Sequence, residues 1–284
     1  MRWKRARRSD NVVDARGSGR GMPIGGKGLS LGGIAVVVVV GLLLGQDPLQ
    51  ILGQLAGQAT QSHSPSPPRG AEPDEQSEFV RAILGDTEDT WREIFQGAQR
   101  QYQDPTLVLF SGGVNSACGF ANSAVGPFYC PGDRRVYIDL AFFRELEQRF
   151  GAAGDFAQAY VIAHEVGHHI QNLEGTLDRA QSAQARAGTV GGNQIQVGVE
   201  LQADCYAGVW AANARTAQGQ PILEPGDVEE GMRAAEAIGD DMLQKQSQGV
   251  VVPESFTHGS SAQRMQALRT GLETGNPASC KFNR

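Results

Sequence analysis

The chain has 284 residues, with 25 Lys and Arg against 31 Asp and Glu and a formal net charge of −6. Hydrophobic residues make up 40% and charged residues 20%, which excludes a wholly disordered or fibrous chain. The length fits one or two domains, and the acidic balance excludes a general nucleic-acid binder, which needs a basic surface to displace counterions from phosphate.

The charge is unevenly placed. Residues 1–27 hold eight Lys or Arg against two Asp, a net +6, which leaves −12 for the remainder. The break falls on residues 28–46, nineteen positions without a charge and strongly aliphatic at 34–40 and 42–44. A helix of that length just spans a hydrocarbon core of about 30 Å. A cleaved signal would have a shorter apolar region and a small-residue cleavage site, whereas Gly45, Gln46, Asp47 and Pro48 follow here. The expectation is therefore a single-pass signal anchor at 28–46. Residues 1–27 would be a basic cytoplasmic tail, and the rest would be exported to the periplasm or the outside. Residues 47–73, rich in Gln, Gly, Ser and Pro, read as a tether in which His63 is solvated.

The remaining residues, 74–284, carry the patterns of one folded domain. Phe79, Ile83, Trp91 and Phe95 recur at helical spacing, with Asp86 or Thr87 as the cap of a second helix after Gly85. Strands are expected at 107–110, 128–130 and 136–138, with a Gly- and Ser-rich turn at 111–116 and another at Pro131, Gly132 and Asp133. A helix over 140–150 ends at Gly151. The next helix has Asp155 as cap and Gln158 at the capping-box position. Its apolar stripe is Phe156, Ala159, Ala163, Val166, Ile170 and Leu173. After an Ala/Gln/Gly segment at 180–193, helices are expected at about 194–214, 226–246 and 260–271. The fold class is α+β: a mainly helical domain with a small sheet, preceded by one transmembrane helix.

The chemistry lies in the helix after Asp155. His164, Glu165, Val166, Gly167 and His168 form an HExxH pattern. Four residues turn a helix by about 400°, so both imidazoles lie on one face and can hold one metal ion. Glu165 can reach water on that metal rather than the metal itself. Zinc suits neutral imidazoles and accepts four ligands with one position open. The third protein ligand has three candidates. An extension of the motif would need Gly at 171 and His at 174, and the residues there are Gln171 and Glu174. Glu174 itself could reach only if the helix broke early. Glu200 lies on a second helix with Asp204 one turn on, where a carboxylate can accept the spare N–H of a ligand His.

The segments HEVGHH at 164–169, ELQADCYAG at 200–208, the stretch 111–140 and FTHGSSAQRM at 256–265 resemble the bacterial neutral zinc metallopeptidases, a membrane-anchored, zincin-like family. The resemblance runs over essentially the whole chain. It implies one Zn2+ held by His164, His168 and Glu200, with Glu165 as general base and Asp204 behind the ligands. It also implies a protein or peptide substrate outside the cytoplasm. His258 is the candidate donor to the developing oxyanion, with Tyr206 as the weaker one, and His169 points away from His168. The strand at 136–138 is expected to be the edge that pairs with an extended peptide.

The four cysteines, Cys118, Cys130, Cys205 and Cys280, contain no CxxC pair and allow three disulfide connectivities. A Cys118–Cys130 bond would close the β-rich loop, and a Cys205–Cys280 bond would tie the tail to the Glu200 helix; free buried thiols are the alternative. The leading expectation is a membrane-tethered zinc endopeptidase. The competing ones are a non-catalytic zinc-binding module on the membrane and a hydrolase of cell-wall amides.

Overall fold

The computed structural model describes residues 1–16 and 74–281. The first long element is helix α1, Glu75–Gly97, opened by a capping box in which Asp74 accepts from the Ser77 amide. It is continuous where two helices were expected. Asp86 and Thr87 lie inside it, buried: the Asp86 carboxylate accepts from Trp210 Nε1 at 2.8 Å, and Thr87 Oγ1 donates to Leu84 O. Gly85 breaks nothing, because its function is clearance. A Cβ there would stand 2.5 Å from the carbonyl oxygen of Arg7.

That approach exposes the main departure from the sequence reading. Residues 1–16 are not a separate cytoplasmic tail but part of the core. Trp3 packs edge-on against Phe79, with ring centroids 5.3 Å apart, and donates from Nε1 to Asp155. Residues Val12–Asp14 form strand β1, parallel to strand β2, Thr106–Phe110. The basic groups that suggested a membrane-facing tail pair instead with carboxylates: Arg7 with Glu88 and Asp89, Arg8 with Glu78, and Arg16 with Asp14 and Asp74. Residues 28–46, expected to be a transmembrane anchor, and the tether at 47–73 lie outside the described residues. No described helix is long and apolar enough to cross a membrane. Strands β1 and β2 share one sheet, so residues 1–16 and the body belong to one folded unit.

A small hairpin follows β2, made of β3, Gly113–Ser116, and β4, Gly119–Asn122. Strands β5, Phe128–Cys130, and β6, Arg135–Asp139, complete the main sheet in the order β1-β2-β6-β5, with β5 antiparallel to its neighbour. Among the described residues the sheet's edges are therefore β1 and β5. The expectation placed the edge at 136–138, but β6 is interior, paired on both sides. Both expected disulfides are formed: Cys118–Cys130 ties the hairpin turn to β5, and Cys205–Cys280 ties the tail to the second metal-site helix.

The helical layer follows as α2, Ala141–Gln148; α3, Asp155–Leu173; α4, Thr176–Gln184; α5, Thr189–Asn213; α6, Asp227–Ala237; α7, Asp240–Gln248; and α8, Ser261–Thr274. Asp155 does not cap α3. It is the first helical residue, and the Phe156 amide is satisfied from a distance by Glu230 of α6. The single helix expected over 226–246 is two, α6 and α7, divided at Ile238 and Gly239. Helices α3, α5 and α8 form the centre, with Phe156, Tyr160, Trp210 and Leu268 fully buried.

One buried carboxyl makes a stability prediction. Burial pushes Asp86 up to about 7 despite the Trp210 hydrogen bond, so the native state keeps a proton that the unfolded chain has released. Stability should then fall as the pH rises from about 4 to 7, by on the order of 4 kcal/mol. Asp86→Asn keeps an acceptor for Trp210 and carries no charge. Thermal unfolding at pH 8 should show the variant as the more stable protein, and the difference should vanish near pH 4.

Candidate metal centre

Helix α3 presents His164 and His168 one turn apart, and α5 brings Glu200 opposite them. The two helices can come this close because of Gly167, the small residue inside the motif. A Cβ there would lie 2.9 Å from Ala203 O on α5. The result is one knot of three ligand atoms: His164 Nε2 is 3.1 Å from His168 Nε2 and 3.1 Å from a Glu200 oxygen, and His168 Nε2 is 3.5 Å from that oxygen.

The proton pattern tests whether a cation fits. His164 Nδ1 faces Asp204 at 2.7 Å and His168 Nδ1 faces the Gln171 side-chain oxygen at 2.9 Å, so in neutral rings both Nδ1 atoms carry the hydrogen. Gln171 is itself fixed in that orientation, because its amide nitrogen donates to Val199 O and to Gln202. Two Nε2 lone pairs then converge with no hydrogen between them. A tetrahedral ion with bonds of about 2.0–2.1 Å needs donor atoms about 3.3 Å apart, which matches this triad. His164, His168 and Glu200 are the residues that would hold it.

The electrostatics agree. Without a metal, His164 is held up to about 10: burial opposes its charge, but the Asp204 and Glu200 carboxylates outweigh burial. Asp204 is fully buried and is drawn down to about 2 against its own desolvation by Arg264 and His164. Glu200 is likewise held well below the carboxylate range by the two imidazoles, again against desolvation. Glu165 differs. Burial pushes its carboxyl up, and its side chain makes no hydrogen bond among the described residues. It stands unpaired in the wall of a cleft of about 810 Å³ that also holds the triad, Phe128 and Tyr129 of β5, and His258.

The other sequence candidates separate cleanly. His258 reaches the cleft, and its Nδ1 faces Asp240 at 3.2 Å, while one Asp240 oxygen accepts from the amides of Thr257, His258 and Gly259. Tyr206 does not reach it; its hydroxyl donates to Glu174 at 2.8 Å and its ring packs on Trp91. Glu174 is thereby also accounted for, paired with Arg100 as well. His169 is buried behind the site, accepting from the Tyr129 hydroxyl while its other nitrogen donates to Gln103 O, so it fixes β5 to the metal helix. Sequence reasoning missed Tyr160, Gln171, Gln196, whose amide donates to the other Glu200 oxygen at 2.8 Å, Asp240 and Arg264. The first three sit one turn from a ligand on the same helix, a spacing that could have marked them; Asp240 and Arg264 arrive from distant helices and left no such signal.

Two imidazoles from one helix and a carboxylate from another, with outward nitrogens fixed by acceptors, make a site that could hold a single metal ion. The model of the family described as "Putative neutral zinc metallopeptidase" matches residues 1–282, and the chain belongs to that family. It is 45% identical over 284 residues to the uncharacterized protein YpfJ of Escherichia coli K12, covering 99% of this chain and 98% of that one. It is 48% identical over 199 residues to the uncharacterized protein Rv2575 of Mycobacterium tuberculosis H37Rv, covering 67% of this chain and 64% of that one. No solved structure matches the chain.

Proposed function

We propose that the protein is a zinc endopeptidase that hydrolyses peptide bonds of extended protein segments. The observation that carries this reading is Glu165. A site that held zinc only for structure would have no use for an unpaired carboxylate beside two ligand histidines at an open cleft. Zinc bound at the triad supplies a Lewis acid that acidifies water and polarises a carbonyl. Glu165 takes the proton from the attacking water and delivers it to the leaving amine. Asp204 and Gln171 hold the two histidines in the tautomer that leaves Nε2 for the metal. The substrate pairs with the free edge of β5, whose Phe128 and Tyr129 line the cleft. The two disulfides favour action outside the cytoplasm, with residues 28–46 as the membrane contact.

His258 is the donor to the developing oxyanion. Its Nδ1 is turned to Asp240, which leaves Nε2 for the substrate. The ring is half-exposed at the cleft, and although partial desolvation works against its charge, Asp240 and Glu200 raise its pKa and so favour the form that donates from both nitrogens. His258→Ala should lower kcat by about 10²–10³-fold with zinc content unchanged. The wild-type rate should fall as the pH rises through the raised value, and this limb should be missing from the variant.

The function is tested with the full chain on casein and a mixed peptide library. One zinc per chain, loss of cleavage on chelation and recovery with one equivalent of zinc are expected. Tightly held zinc without cleavage of any substrate would favour the non-catalytic binding module; release of amino groups from wall fragments alone would favour the cell-wall amidase.

A further inference from the structure

Arg264, on α8, is the sole buried Lys or Arg among the described residues, 3% exposed. Its donors all turn toward the back of the metal site. Nε donates to one Asp204 oxygen and Nη2 to the other, both at 2.9 Å, in a two-pronged fork; Nη2 also reaches the Tyr160 hydroxyl at 3.1 Å, and Nη1 reaches Ile238 O at 3.2 Å. Tyr160 donates in turn to Asp204, 2.5 Å away, on the oxygen that faces His164 Nδ1.

This arrangement does more than neutralise a buried acid. A carboxylate held only by His164 could rotate about its Cβ–Cγ bond and let the imidazole swing. Gripped on both oxygens by a planar guanidinium, its plane is fixed, and so is the direction of His164 Nε2. Arg264 is also the cation paired with the fully buried Asp204 carboxylate. Removing Arg264 would leave that carboxylate without its guanidinium.

We propose that Arg264 is a positioning residue of the metal centre, which through its fork on Asp204 aims His164 at the metal. The inference rests on the metal-binding part of the function proposed above and not on proteolysis.

The test uses the full chain and its Arg264→Lys variant, which keeps the charge and loses the fork. Zinc affinity is read by competition with a chromophoric chelator well below the unfolding temperature, and the ligand field is read from the visible bands of the Co2+-substituted protein. Arg264→Lys should weaken zinc binding about 10–100-fold and shift or weaken the Co2+ bands. Wild-type affinity and wild-type bands, with only a lower thermal stability, would overturn the proposal and leave Arg264 a structural cation. Tyr160→Phe covers the case in which the Lys variant does not fold. It removes the hydroxyl that bridges Arg264 Nη2 and the Asp204 oxygen facing His164, and should weaken zinc several-fold; an unchanged affinity and spectrum there would also overturn the proposal. If the chain proves not to be a peptidase, cleavage will be absent while the affinity difference persists, so the two failures are told apart.

Discussion

A soluble version that begins at residue 74, the obvious way to remove the apolar run, is expected not to fold. Residues 1–16 contribute Trp3 and Val12 to the core and β1 to the sheet. They also supply almost all the partners of Glu88, a carboxylate with no exposure: Ser9 and Asn11 on one oxygen and Arg7 on the other. Burying Trp3 and Val12 stabilises by about 1.5–3 kcal/mol each, and stripping a buried carboxylate of its cation costs about 3–5 kcal/mol. The sum is comparable to the roughly 5–15 kcal/mol that holds an ordinary domain together. The complementary deletion should be harmless. Arg16 and Asp74 are joined by an ion pair of 2.7 Å, so residues 17–73 can be replaced by a short Gly/Ser loop. Circular dichroism melts of the two deletions should show a cooperative transition for the loop version and none for the truncated one. A truncated chain that melts near the full-length temperature would refute the role given to the arm. In cells, single cysteines placed in the arm and in the body should share the same reactivity to a membrane-impermeant maleimide.

The arm also shows where the sequence stopped being legible. Arg7, Arg8 and Arg16 before an apolar run look the same whether they face lipid headgroups or pair with Glu78, Glu88, Asp89 and Asp74 far along the chain. Local charge patterning carries no information about partners some seventy residues away. The residues of the candidate metal triad were readable for the opposite reason. HExxH and the Glu200–Asp204 pair are spaced by the turn of a helix, so sequence distance translates directly into a shared face. Strands β2, β5 and β6 were readable for the same local reason, but β1, β3 and β4 were not, β3 falling within the stretch 111–116 expected to be a turn, and neither was the strand order. That β1 would enter beside β2 and leave β5, not β6, at the edge depends on long-range pairing that no alternation pattern specifies. Gly85 and Gly167 show the same limit from another side. Gly85 looks like a helix breaker and Gly167 like a spacer within the motif, and each is a contact point whose meaning comes from the neighbour that approaches it.

Glu165→Gln is expected to separate metal binding from chemistry. The side chain is no part of the triad, so the variant should keep one zinc per chain with an affinity near that of wild type. His168→Ala removes a ligand and should lose the metal. The amide of Gln cannot take a proton from water, and a positioned general base contributes about 10²–10⁴-fold, so kcat should fall by about 10³-fold with KM little changed. Glu165→Asp makes the contrast sharper. It keeps the base but withdraws it by one methylene, so it should retain more activity than the Gln variant even though Gln preserves the shape of the side chain. If shape mattered and the proton did not, the order would be reversed. Turnover by Glu165→Gln within a few-fold of wild type would remove Glu165 from the reaction. The open cleft beside the triad would then need another explanation, because no other carboxylate in its wall is both unpaired and beside the two ligand histidines.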